Sequence, residues 1–205
     1  MFNFKTGAMF GLDARIALAI FGALSVISGA SLYSAIQQAK ATSFYTTIVE
    51  LEKSIEALIL DLGYMPKTSS GAPDFSYLSG NRGNLSSWRG PYFDLDYFGS
   101  ESSSFRKEIG NSFPDVYFLN GGAIRGAPTA CNGSSGSTYS YIRVGAYNSE
   151  APHICSMDWD FIKTVHDLYD SDGDYNSGKI IVRQKSDDVT KGSFIYKLGL
   201  DLGSV

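Results

Sequence analysis

The loop from Asp170 to Gly178 reads DSDGDYNSG and sets Asp170, Asp172, Asp174 and Asn176 at two-residue intervals. Oxygen donors at that spacing, with glycines to turn sharply between them, suit Ca²⁺, which takes about six to eight oxygens. The loop is not an EF-hand, because its glycine stands at the fourth place and no Glu follows at the twelfth. The same residue types also satisfy backbone donors in tight turns. The stretch therefore reads either as a Ca²⁺ site or as a turn held by its own side chains, and nothing else in the chain requires a cofactor.

Other chemistry is sparse. His153 and His166 are the only histidines, and neither has a nucleophile or a second ligand at a recognised spacing. No Gly-x-Ser-x-Gly, phosphate loop, Cys-x-x-Cys or His-Glu-x-x-His occurs, so no enzymatic activity is expected. Cys131 and Cys155 are the only cysteines. An even count in a chain with a membrane-export segment favours one disulfide in an oxidising compartment, contributing ~3–4 kcal/mol by chain entropy, against two buried thiols. Trp88-Arg89-Gly90-Pro91-Tyr92 is the densest aromatic cluster, and it reads as a packed turn or, less simply, as a carbohydrate platform.

Two charges, Asp13 and Arg15, stand directly before an uncharged apolar run from Ile16 to Ile36. That run has the ~20 residues a helix needs to cross a bilayer core. An ionisable group beside it is costly in lipid and points to function. Beyond the run, Phe44, Ile48, Leu51, Ile55, Leu58, Ile59 and Leu62 keep the spacing of an amphipathic helix, with Glu50, Glu52, Lys53, Glu56 and Asp61 between them. No proline interrupts Asp13 to Leu62, and Gly63 and Pro66 supply the stop. One helix about 75 Å long is predicted, apolar all round in its first half and along one face in its second. A cleaved secretory signal has no reason to continue into such a helix. Small residues, among them Ser25 and Gly29, let apolar helices approach closely.

The net charge of −4 leaves no electrostatic footprint for nucleic acid. Lys5 and Arg15 precede the span and place the N-terminus in the cytoplasm, with the bulk of the chain outside. The remainder suffices for one compact domain. Residues 63–114 are rich in Gly and Pro and read as a long variable segment over the helix. Strands are predicted at Asp115–Leu119, ended by Asn120-Gly121-Gly122, at Tyr139–Tyr147, at Lys179–Arg183 and at Phe194–Leu200. In the second of these, Ile142, Val144 and Ala146 share one face and Tyr141, Arg143 and Gly145 the other. Ser156 caps a short helix through Tyr169, on which His166 is a partly buried packing residue, and His153 lies in a loop. The order is that of an α+β protein, one long N-terminal helix packed on a C-terminal antiparallel sheet.

With these residues in view the chain resembles the type IV pilins and the pseudopilins of type II secretion. Those families carry a short basic leader, cleavage just inside the membrane, and a mature helix with an acid at its fifth residue. With Met9 as the first mature residue, Asp13 is the fifth and Gly22 the fourteenth, where the families commonly have Gly. Trp88-Arg89-Gly90-Pro91-Tyr92 is similar to a Trp-x-Gly-Pro-Tyr segment of the major pseudopilin. The order Cys131, strand, Cys155, short helix, Asp-rich loop is similar to the C-terminal part of some pilins. Ala8 departs from the Gly preferred before the cut, and Asp13 from the usual Glu; cutting between Gly7 and Ala8 restores the Gly but makes Asp13 the sixth residue.

The resemblance implies a leader over residues 1–8, cut between Ala8 and Met9 by a prepilin peptidase, with N-methylation at Met9. It implies an assembly helix over 9–62, spanning the bacterial inner membrane at 16–36, and an extracytoplasmic α+β head over 63–205 in the periplasm. Asp13 is implied as the assembly residue, drawing the new amine of an adjacent identical subunit. The expected function is a structural filament subunit, polymerised by a pilus or type II secretion assembly platform and displayed at the cell surface. The alternatives are a major-type pseudopilin and a membrane-anchored binding protein that never polymerises.

Overall fold

The structure, a computed structural model, describes residues 7–69, 71, 73–97, 104–107, 117–125, 138–148, 151–153, 155 and 157–199. The chain divides into two compact units, Met1–Ala39 and Lys40–Val205, and helix α1 (Gly7–Leu62) has residues in both.

In the first unit α1 is apolar on every side. Leu18, Phe21, Val26 and Ile27 are each more than half exposed, as is Tyr33. Ser25 returns its hydroxyl to the Phe21 carbonyl at 2.8 Å, which hides its polarity within the helix. Among the described residues this is the one helix long and apolar enough to cross a membrane.

In the second unit the same helix carries the predicted stripe. Ala41, Phe44, Ile48, Leu51, Ile55 and Leu58 are all 0 % exposed, while Ile59 and Leu62 sit at its margin. Burying each Leu or Ile contributes ~1.5–3 kcal/mol. Phe44 meets Phe161 and Phe194 edge-on, at 5.4 and 5.0 Å between ring centres. The helix ends at Leu62, as its sequence predicts: Gly63 turns at φ +80 and donates its N–H to the Ile59 carbonyl at 2.7 Å.

The sheet that receives this stripe is antiparallel throughout its described pairings. Its strands are β1 (Asp96–Tyr97), β2 (Ser104–Lys107), β3 (Tyr117–Arg125), β4 (Thr138–Asn148), β5 (Ala151–His153), β6 (Met157–Asp158), β7 (Ile180–Gln184) and β8 (Lys191–Lys197). The order runs β1-β2-β3-β4-β8-β6, with β5 on β4 and β7 on β8. The alternation predicted for β4 is present: Ile142 and Val144 join the helix-side core, and Tyr141 packs with Ile181 and Ile195 in a separate cluster.

Several expectations are corrected. Asn120-Gly121-Gly122 does not end a strand; β3 runs through it to Arg125, paired residue by residue with Arg143, Ile142 and Tyr141 of β4. Strands β1 and β2 lie in the stretch read as loop, which also holds a short 3₁₀ helix at Phe75–Leu78. β8 begins at Lys191 rather than Phe194, and His153 belongs to β5. Helix α2 (Trp159–Tyr169) is capped by Asp158, whose carboxylate accepts the Phe161 N–H at 2.9 Å; Ser156 lies outside the described residues.

Candidate functional site

The Asp-rich loop follows α2 and leads into β7, and its carboxylates are turned toward backbone donors. Asp170 accepts the Ile180 N–H at 2.6 Å, Asp172 the Asp174 N–H at 2.9 Å, and Asp174 the Asn176 N–H at 2.9 Å. The Asn176 N–H is the main cause holding Asp174 below the ordinary carboxylate value. Among the described residues no three His, Cys, Asp or Glu side chains come together as metal ligands. The turn reading accounts for these contacts. Gly178 closes the loop at φ +76, and a Cβ there would run into the Asp170 carboxylate. Gly178→Ala is therefore expected to cost ~2 kcal/mol or more, through a strained backbone and a displaced Asp170 bond. Urea unfolding followed by tryptophan fluorescence measures it, since Trp88 and Trp159 both lie in the second unit.

His166 is fully buried rather than partly so. Its Nδ1 lies 3.6 Å from Asp167 and its Nε2 3.9 Å from Asp172, both too long for hydrogen bonds, and the Tyr175 ring sits 4.7 Å away. Cys155 is buried in a turn, and no described cysteine is a free thiol; Cys131 lies outside the described residues.

The aromatic cluster at Trp88 to Tyr92 is a clamp. The two rings meet edge-on at 5.7 Å over Gly90, where a Cβ would lie 2.7 Å from each. Trp88 Nε1 donates to the Tyr77 carbonyl at 2.7 Å, and the Tyr92 hydroxyl donates to Asp61 of α1 at 2.6 Å. Burial and then the Asp61 carboxylate push the Tyr92 phenol up. The polar groups of both rings are committed within the fold, which favours the packed turn over an open carbohydrate platform.

A second polar network was not anticipated. Glu52 stands on α1 four residues after Ile48, at the edge of the apolar stripe, and is only 7 % exposed. Its Oε2 accepts the Tyr196 hydroxyl at 2.7 Å and the Lys179 ammonium at 3.0 Å, and its Oε1 accepts the Gly199 N–H at 2.9 Å. Burial pushes this carboxyl up, but the Gly199 N–H, the Tyr196 hydroxyl and the Lys179 ammonium together outweigh it and hold it below its ordinary 4.5. Tyr196 is driven well above the ordinary phenol range, first by burial and then by the Glu52 charge. The network ties the helix to β8 and to the chain beyond it. The four-residue step from Ile48 was the available signal, masked by the usual expectation that a helical Glu is solvated.

The remaining candidates lie in the first unit. Gly7, Ala8 and Met9 form the start of α1, so both candidate cleavage bonds fall in its first turn. Asp13 and Arg15 are exposed on the same helix, immediately before the apolar surface. Two opposite charges in an otherwise apolar, exposed helix can do one kind of chemistry well, which is to recognise charge on another molecule within a low-dielectric setting. No protein-family model, no curated protein and no solved structure matches this chain.

Proposed function

We propose that the chain is a structural subunit of a type IV pilus-like filament, held in the bacterial inner membrane before assembly and at the cell surface after it. The observation that carries this reading is α1 itself: one unbroken helix from Gly7 to Leu62 whose apolar first part is exposed and whose later stripe is buried under a β-sheet. An apolar helix of that kind needs lipid or other helices around it, and a filament core of identical helices supplies the second. In this proposal a prepilin peptidase cuts between Ala8 and Met9, or between Gly7 and Ala8, and the new amine is methylated. Asp13 then draws the amine of an adjacent subunit and guides head-to-tail addition by the assembly platform. Cys131 and Cys155 form the head's disulfide, which the burial of Cys155 supports. No catalysis and no metal are assigned to the head.

A second reading, the major-type pseudopilin of type II secretion, is favoured by the Trp88–Tyr92 clamp against α1. Both readings require processing of the N-terminus. Intact mass of the membrane-extracted protein should show loss of residues 1–8 and the gain of one methyl. A chain that keeps Met1 in membranes containing the peptidase would contradict both.

A further inference from the structure

Strand β7 pairs with β8 alone among the described residues, so its other side is an edge of the sheet. Alternate residues of an edge strand aim their backbone groups outward, where a further strand can add to them. The phase of that alternation is fixed at both ends of β7. The Lys197 N–H donates to the Lys179 carbonyl at 2.8 Å, and the Lys185 N–H to the Lys191 carbonyl at 2.9 Å. The ladder to β8 therefore uses the odd-numbered residues, and Ile180, Val182 and Gln184 face outward. Two of these outward N–H groups are already taken. Ile180 donates to the Asp170 carboxylate at 2.6 Å, and Val182 to the Tyr175 carbonyl at 3.1 Å. The Asp-rich loop thus lies where a next strand would lie, and it is seated there by α2. Tyr175 lays its ring 4.7 Å from the buried His166 and donates its hydroxyl to Asp167 at 3.0 Å.

We infer that the Asp170–Gly178 loop is a guard on this edge, and that with the guard lifted β7 pairs with β7 of a second copy. Beneath it lie Ile180, Ile181 and Val182, three β-branched apolar residues in a row and the composition most prone to strand pairing. An edge offered to the same edge of a second copy pairs antiparallel about a two-fold axis, each outward donor meeting an acceptor. Seated, the loop consumes those donors within its own chain. One of its two acceptors is a side chain, so the guard can be loosened at Asp170 without altering the backbone of β7. The inference concerns the second unit alone and stands apart from the filament reading.

The test uses the full chain in detergent, with amide hydrogen exchange resolved over β7 and sedimentation at the same concentration. In the wild type, Ile180 and Val182 are expected to exchange nearly as slowly as the β8-paired Ile181. Asp170→Ala should speed exchange at Ile180 by roughly tenfold and raise the dimer-and-larger fraction by about fivefold. Asp170→Asn keeps a side-chain oxygen as acceptor and should match the wild type. Adding Gln184→Pro to Asp170→Ala removes an outward N–H without touching the β8 ladder, and should restore wild-type sedimentation. Should Asp170→Ala lose protection in β4 as well, Tyr175→Ala unseats the loop while keeping Asp170 and is held to the same expectations. Fast exchange at Ile180 in the wild type overturns the inference, as does slow exchange in Asp170→Ala. A variant whose edge opens yet sediments like the wild type also overturns it. Oligomers that survive Gln184→Pro put the contact somewhere other than β7 and overturn it too.

Discussion

On the proposed filament reading, Asp13→Ala is expected to leave the chain inserted and folded in the membrane while reducing filaments by roughly 30-fold or more. Removing the carboxylate makes the start of α1 less costly in lipid, so insertion does not suffer. What disappears is the one negative charge beside the exposed apolar surface, and with it the attraction for a neighbour's cation where the dielectric is low. The defect recurs at every subunit added, so a modest loss per contact becomes a large loss of polymer. Membrane fractionation with quantitation of sheared surface material checks both halves of the expectation. Filaments at the wild-type level would remove Asp13 from assembly, and a chain absent from the membrane would make it a folding residue instead.

The second large effect lies in the folded domain. Glu52→Ala is expected to destabilise it by about 3 kcal/mol, because the buried Tyr196 hydroxyl loses its carboxylate acceptor and the Gly199 N–H loses its partner. Lys179 is half exposed and recovers part of its share from water. Glu52→Gln keeps the shape and should cost about 1–2 kcal/mol. The pH dependence follows from the depressed carboxyl. Its folded value lies below 4.5, so its stabilisation is fully present above that pH and is lost as pH falls through the folded value. The gap between the wild type and Glu52→Gln should therefore hold steady from neutral pH to about 5 and close below it. Urea unfolding of the detergent-solubilised chain, read by tryptophan fluorescence, gives the comparison. A gap that widens in acid would contradict the charge assignment.

The long helix was legible because every local signal agreed. No proline interrupts it, the apolar spacing passes from all-round to one face, and Gly63 closes it. β4 was legible from its alternation, since Ile142 and Val144 against Tyr141 is the pattern of a strand with two distinct faces. The failures share a cause. Asn120-Gly121-Gly122 has the chemistry of a turn, yet a full ladder to β4 holds it extended, and no local signal reports a partner some twenty residues away. Lys191, Gly192 and Ser193 carry little strand propensity and are held by β6 and β7 on either side. In the capping of α2, an aspartate two residues on from Ser156 takes the role.

For the candidate sites, the charges beside the apolar run stood out because charge is conspicuous there. Glu52 did not, because a single acid on a charged helix face looks like any other until its partners arrive from β8. The Asp-rich loop was the opposite case: the residue types suited a cation, while Asp170, Asp172 and Asp174 each hold a backbone N–H of their own loop or of β7.

The central claim, that this chain polymerises through its N-terminal helix, is tested most directly by shearing surface filaments from cells that make the full chain. Electron microscopy with an antibody against the head, joined to intact mass of the same fraction, then identifies the subunit. The account predicts labelled filaments built of a chain that begins at Met9, or at Ala8 under the other cut. Cells that make the processed chain and its assembly machinery, yet hold all of it as monomer in the membrane, would contradict the account.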